Sequence, residues 1–130
     1  MSQILLLEPD KILAKTYSMA LESAGHVVRH CVSAQTAIVL ADDIHPDIVI
    51  VELQLVDHSG IEFLYEFRSY TDWQHIPVII LTNVPETEFS GSLSLLRNDL
   101  NVQAYLYKPL TNLQKLIQCV EDLTQVTIKK

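Results

Sequence analysis

The stretch Asp47 to Gly60, Asp-Ile-Val-Ile-Val-Glu-Leu-Gln-Leu-Val-Asp-His-Ser-Gly, most constrains what this chain can fold into. Ile48 to Val51 is an unbroken apolar, mostly β-branched run, the pattern of a strand covered on both faces in a parallel sheet. The run ends on a carboxylate, Glu52. After a loop, Ser59 and Glu62 stand at capping-box spacing and open a helix. One acid therefore sits at the carboxyl end of a central strand, just before a crossover helix. In open α/β sheets that edge is where ligands bind.

The rest of the chain repeats the alternation. Ile4 to Leu7 reads as a first strand ending in Glu8-Pro9-Asp10, with Asp10 as N-cap of a helix whose apolar face is Leu13, Tyr17, Ala20, Leu21 and Ala24. Gly25 stops it. A second strand runs from Val27 to about Val32, and Ser33 caps a short helix with Ala37, Ile38 and Ala41 on one face. His45-Pro46 breaks that helix before the Glu52 strand. The third helix is expected to bury Ile61, Leu64, Tyr65 and the stem of Arg68. Val78 to Leu81 is a fourth strand ending in Thr82. Residues 83–101 carry the weakest pattern, with Leu93, Leu96 and Leu100 lining a fourth helix. Gln103 to Tyr107 is a fifth strand leading to Lys108-Pro109. Thr111 and Gln114 make a second capping-box pattern, and Leu113, Leu116, Ile117, Val120 and Leu123 give a long last helix, with 126–130 as a frayed tail.

Five strands alternating with five helices predict a single α/β domain over residues 1–130, a doubly wound parallel sheet of order 2-1-3-4-5. That order sets the ends of strands one and three side by side, so Glu8, Asp10 and Glu52 converge, flanked by Thr82 and Lys108. A net charge of −7 and a pI near 5.0 argue against a nucleic-acid partner and against a basic membrane patch. No apolar run approaches a membrane span, and the acidic start is not a signal peptide, so the expected location is the cytoplasm. The two cysteines, Cys31 and Cys119, lie far apart and are read as half-buried thiols. His26, His30, His45, His58 and His75 are scattered and are read as surface residues.

At this point the chain resembles a response-regulator receiver domain, over nearly its whole length. The resemblance rests on five features in order: Glu8-Pro9-Asp10 after strand one, Glu52 after strand three, Gly60, Thr82 after strand four, and Lys108-Pro109 after strand five. Tyr105, three residues before the lysine, matches the family's aromatic switch position, and Thr82 its hydroxyl switch position. The resemblance implies the flavodoxin-like fold and phosphoryl transfer from a kinase histidine to an aspartate, with Mg²⁺ held by the acidic cluster.

This sequence departs from that pattern. Glu52 stands where the family has its phosphoacceptor aspartate, and the extra methylene moves the carboxylate by about 1.5 Å. Misplacement of that size costs on the order of a hundredfold in rate. Pro9 replaces a Mg²⁺ ligand and brings no side-chain oxygen, while Asp10 is one residue late and free to cap its helix. Asn83 replaces a small residue beside the pocket, Val56 replaces a loop proline, and Thr82 to Lys108 is about four residues longer than the family's usual spacing.

The expected function is a stand-alone pseudo-receiver: a signalling module without catalytic activity that works through protein contacts and holds no metal cofactor. Its partner, a histidine kinase, another signalling protein or a second copy, is expected on the fourth helix, fifth strand and fifth helix. Glu52 is then either a standing mimic of the phosphorylated state paired with Lys108, or a solvated carboxylate with no signalling role. A partly exposed pair would contribute under about 1 kcal/mol. The alternative is a phosphorylatable, Mg²⁺-dependent response regulator. A flavodoxin-like cofactor binder fits poorly, because Glu8-Pro9-Asp10 lacks the glycines and hydroxyls that cradle phosphate.

Overall fold

A computed structural model describes residues 2–56, 59–89 and 94–128. The strands are β1 (Gln3–Leu7), β2 (Val27–Cys31), β3 (Ile48–Val51), β4 (Val78–Thr82) and β5 (Val102–Tyr107). They form one all-parallel sheet of order β2-β1-β3-β4-β5. The α-helices are α1 (Lys11–Ser23), α2 (Ala34–Ile44), α3 (Gly60–Ser69) and α4 (Leu113–Ile128). The fourth crossover is helical in another form, a 3₁₀ turn at Glu86–Phe89 and a π-helical turn at Leu95–Asp99. The expected doubly wound architecture is the observed one.

The period of two along each strand builds two cores. Leu5, Leu7, Val49, Val51, Val78, Ile80 and Val102 face the layer of α2, α3 and the π turn. Ile4, Leu6, Ile48, Ile50, Ile79, Leu81 and Leu106 face α1 and α4. Burial of β3 on both faces is why its sequence is an unbroken apolar run.

Local chemistry sets the helix starts. Asp10 accepts from the N–H groups of Ile12 and Leu13, and Ser33 from Thr36. Ser59 and Glu62 close the expected capping box at 3.1 and 3.0 Å. The last helix differs from expectation: Asn112 is its cap, accepting from Lys115 N–H at 2.7 Å, while the Thr111 hydroxyl donates to Tyr107 O. Regular helix also continues to Ile128, into the segment expected to fray.

Three further expectations need correction. The buried face of α3 is Phe63, Leu64, Phe67 and Arg68, with Tyr65 half exposed. The phenylalanines win because Phe67 stacks on Trp73 at 5.0 Å and on Phe63 at 5.5 Å beneath the sheet. His26 is buried beside α4, its Nε2 3.7 Å from Glu121 Oε2. Arg68 buries its head as well as its stem, donating to Leu100 O, Trp73 O and Asn101 O at 2.8, 2.6 and 2.9 Å. It thereby ties α3 to the end of the π turn, where Asn101 takes a left-handed φ of 51°. Leu96 and Leu100 are buried as expected; Leu93 and His58 lie outside the described residues.

Candidate functional site

The site forms at the carboxyl edge of the sheet, from residues that follow β1, β3, β4 and β5. The parallel register pairs Leu7 with Val51, so Glu8 and Glu52 leave adjacent strands side by side. The Glu52 N–H donates to Leu7 O at 3.0 Å and fixes that alignment. Behind Glu52 the chain doubles back, and Gly60 N–H donates to Leu53 O at 2.8 Å. A Cβ on Gly60 would stand 2.6 Å from Glu52 O and 2.7 Å from Leu53 Cα, so only glycine lets α3 start this close to the strand end.

Lys108 closes the arrangement. Its Nζ lies 2.8 Å from Glu52 Oε1 and 2.7 Å from Glu8 Oε1. The side chains are 8% exposed for the lysine, 4% for Glu52 and 3% for Glu8, so the expected partly exposed pair is a buried triad. The second oxygen of each carboxylate is also engaged: Glu8 Oε2 accepts from Asp10 N–H at 3.0 Å, and Glu52 Oε2 from Gln54 N–H at 3.2 Å. Burial pulls the ammonium pKa down, but hydrogen bonds and charge from Glu52 and Glu8 outweigh it and hold Lys108 above its ordinary value. Tyr17 of α1 is half-buried, and burial with the nearby carboxylates raises its phenol pKa against the opposing pull of Lys108. Only its place on the apolar face of α1 was legible in sequence.

The predicted switch positions form a second linked set. Thr82 is fully buried, and its Oγ1 accepts from Val84 N–H at 3.2 Å. Tyr105 is half-buried and donates its hydroxyl to Val84 O at 2.6 Å. Burial, with Glu86, Glu52 and Glu88 nearby, pushes the Tyr105 phenol up to about 12. The Val84 residue thus joins the end of β4 to β5. Asn83 and Val56 are exposed, the latter almost completely.

The chain matches the model of the response regulator receiver domain over residues 4–121. It belongs to that family. As a receiver domain it is of the two-component signalling type. It is 31% identical over 109 residues to the KDP operon transcriptional regulatory protein KdpE of Escherichia coli K12, covering 84% of this chain and 45% of that protein. The chain therefore spans less than half of KdpE. Against the polar-differentiation response regulator DivK of Brucella ovis it is 26% identical over 108 residues, covering 83% of this chain and 85% of DivK. The chemotaxis response regulator CheY4 of Vibrio cholerae shares the fold, with a TM-score of 0.83 at 20% identity, covering 95% of this chain and 98% of that one. Among the described residues no helix is long and apolar enough to cross a membrane.

The donor set of this receiver domain does not fit the family's Mg²⁺. Both Glu8 oxygens and both Glu52 oxygens already accept hydrogen bonds, Pro9 offers no side-chain oxygen, and Asp10 Oδ1 is spent on its helix cap. Among the described residues no three His, Cys, Asp or Glu side chains are grouped to hold a metal. Mg²⁺ takes one or two carboxylate oxygens and completes its octahedron with waters, and here the Glu8 and Glu52 oxygens would have to give up their present partners to serve.

Proposed function

We propose that this receiver domain is a pseudo-receiver: a signalling module that takes up no phosphoryl group and acts through protein contacts. The observation that carries this reading is the contact between Lys108 and Glu52, with Glu8 sharing the same ammonium. In the phosphorylated receiver that the family resemblance implies, the lysine meets charge on the phosphoryl group. Here the longer Glu52 arm already delivers a carboxylate to it. A carboxylate carries less charge and fewer oxygens than a phosphoryl group, so the mimicry is partial.

The link from Thr82 through Val84 to Tyr105 is the route by which the standing charge would set the partner surface. That surface is the fourth crossover, β5 and α4, and its occupant is a histidine kinase or other signalling protein, with a second copy of the chain as the competing occupant. The acidic balance of the chain disfavours nucleic acid, and a cytoplasmic location is part of the same proposal.

The test is to make Glu52→Gln and Lys108→Met, each alone, and follow the Tyr105 ring shifts and Val84 amide exchange by NMR. The proposal expects both variants to loosen the Tyr105–Val84 bond and speed exchange at Val84. Unchanged Tyr105 and Val84 signals in two folded variants would mean that the triad is silent and that partners read another surface.

A further inference from the structure

We propose that a second site, at the opposite edge of the sheet from the triad, receives the guanidinium of an arginine side chain presented by a protein partner. The cleft lies between the last turns of α2 and the segment after α3. In a parallel sheet both precede the strands that follow them, so they sit at the amino edge. It holds about 380 Å³ and is lined by Ile38, Val39, Asp42, Tyr70, Asp72 and Trp73. That size lies within the range of small-ligand pockets, roughly 300–1,000 Å³.

The chemistry of the lining is specific. Ile38 and Val39 give an apolar wall, and Val39 is 71% exposed without a covering residue. Tyr70, 44% exposed, gives an aromatic face, and the buried Trp73 backs it, with ring centroids 4.7 Å apart and planes tilted by 51°. Asp42 and Asp72 are both exposed and stand on opposite walls, one on α2 and one after α3. Among the described lining residues there is no lysine or arginine. Two carboxylates lining a cleft with one exposed aromatic ring suit a flat, weakly hydrated cation, which packs on Tyr70 while its N–H fork meets the carboxylates. The compact, strongly hydrated lysine ammonium uses the same features less well.

This aromatic face is held in place before any ligand arrives. Trp73 stacks on Phe67 at 5.0 Å and 18°, and its carbonyl accepts from Arg68 Nη1 at 2.6 Å. Preorganisation of this kind lowers the cost of binding. A net charge of −7 adds long-range attraction for a basic partner. A wider depression adjoins the cleft, sharing Val39 and Asp42 and adding Asp43, and leaves room for the peptide chain that carries the arginine.

The protein carries its own reporter, because Trp73 is the only tryptophan in the chain. The experiment titrates the intact protein with acetyl-Ala-Arg-Ala-amide, and in parallel with the lysine and the citrulline versions of the same peptide. Trp73 emission and backbone NMR shifts are recorded. The arginine peptide is expected to give a saturable response at Val39, Asp42, Tyr70 and Trp73 that weakens as salt is raised. The lysine peptide is expected to bind several-fold more weakly, and the neutral citrulline peptide not to bind. Asp42→Asn and Asp72→Asn, both at exposed positions, are each expected to weaken arginine binding several-fold. No saturable response, shifts that map away from the cleft, equal binding of the lysine or citrulline peptide, or indifference to both asparagine variants would each overturn the proposal.

Discussion

Lys108 Nζ stands 2.8 Å from Glu52 Oε1, in a site where both side chains are more than nine-tenths buried. The ammonium is shared with Glu8 at 2.7 Å, so one cation holds two carboxylates together at the ends of β1 and β3. The glutamate that looks like a defect in a phosphoacceptor is, structurally, a group with a complete set of partners.

Removing the cation should therefore be costly. Lys108→Met leaves two buried carboxylates facing each other, and the loss of one member of a buried ion pair costs about 3–5 kcal/mol. Glu52→Gln should cost less, because Glu8 still neutralises the lysine and the amide can still accept from Gln54 N–H. Urea unfolding of the two variants checks the order: equal and small losses, under about 1 kcal/mol each, would mark the triad as an ordinary surface cluster.

Gly60→Ala should destabilise the domain by about 1–3 kcal/mol, the range for forced overpacking. The new Cβ meets backbone, Glu52 O at 2.6 Å and Leu53 Cα at 2.7 Å, which has no side-chain freedom to yield. Because the displaced atoms belong to Glu52 and its neighbour, the Glu52–Lys108 contact should loosen too. Thermal unfolding with NMR of the Lys108 ammonium checks both effects.

Arg68 is the other position where one side chain holds separate segments. Arg68→Met keeps the stem but removes the Arg68 donors from the carbonyls of Leu100 and Asn101, while Trp73 O keeps the Ile76 N–H at 3.3 Å. With a cost of about 1–3 kcal/mol for each buried group left unpaired, a loss of at least about 2 kcal/mol is expected. Arg68→Lys should recover little of it, since an ammonium cannot reproduce the guanidinium fork. Denaturant midpoints of the two variants settle this; a near-wild-type lysine variant would contradict it.

Alkaline pH should unfold the domain earlier than its surface charges alone would. Burial pushes the Cys31 thiol from 9.0 up to about 12, and burial with nearby carboxylates pushes the Tyr105 phenol from 10.0 up to about 12. Lys108 is also held above 10.5. In each case the folded state keeps its proton where the unfolded state has lost it. The stabilisation is thus complete below the unfolded pKa and disappears as pH rises through the folded one. Stability should fall from about pH 9 upward, and Tyr105→Phe should flatten the part of the fall between 10.0 and about 12. A Tyr105→Phe curve parallel to wild type across that window would contradict the assignment.

The sheet order was legible because β1, β3 and β4 are short apolar runs and every strand is followed by punctuation: Glu8-Pro9, Ser33, Glu52, Thr82, Lys108-Pro109. That order was expected to bring Glu8, Asp10 and Glu52 together with Thr82 and Lys108 flanking; the structure joins Glu8, Glu52 and Lys108, while the Asp10 carboxylate turns to cap α1. What sequence could not decide was which apolar residues of α3 face inward. Residues 61, 63, 64, 65 and 67 are all apolar or aromatic, more than one face of a helix can hold, and only the partner Trp73 selects Phe63 and Phe67. The Arg68 bonds to Leu100 and Asn101 and the His26–Glu121 contact join residues more than thirty positions apart, beyond what periodicity detects. The cap of α4 went to Asn112 over Thr111 because the Thr111 hydroxyl turns back to Tyr107 O. Burial of the triad was also invisible, since a strand-end acid and lysine read equally well as solvated.

Glu52, held by Lys108 Nζ and the Gln54 N–H, is expected to accept no phosphoryl group. The most direct measurement is intact mass after incubation with acetyl phosphate and Mg²⁺, compared with protein incubated without the donor. No gain in mass is expected. A stoichiometric gain of one phosphoryl group, lost on hydroxylamine treatment and absent in Glu52→Gln, would show that the carboxylate leaves Lys108 and acts as an acceptor, and would contradict that expectation.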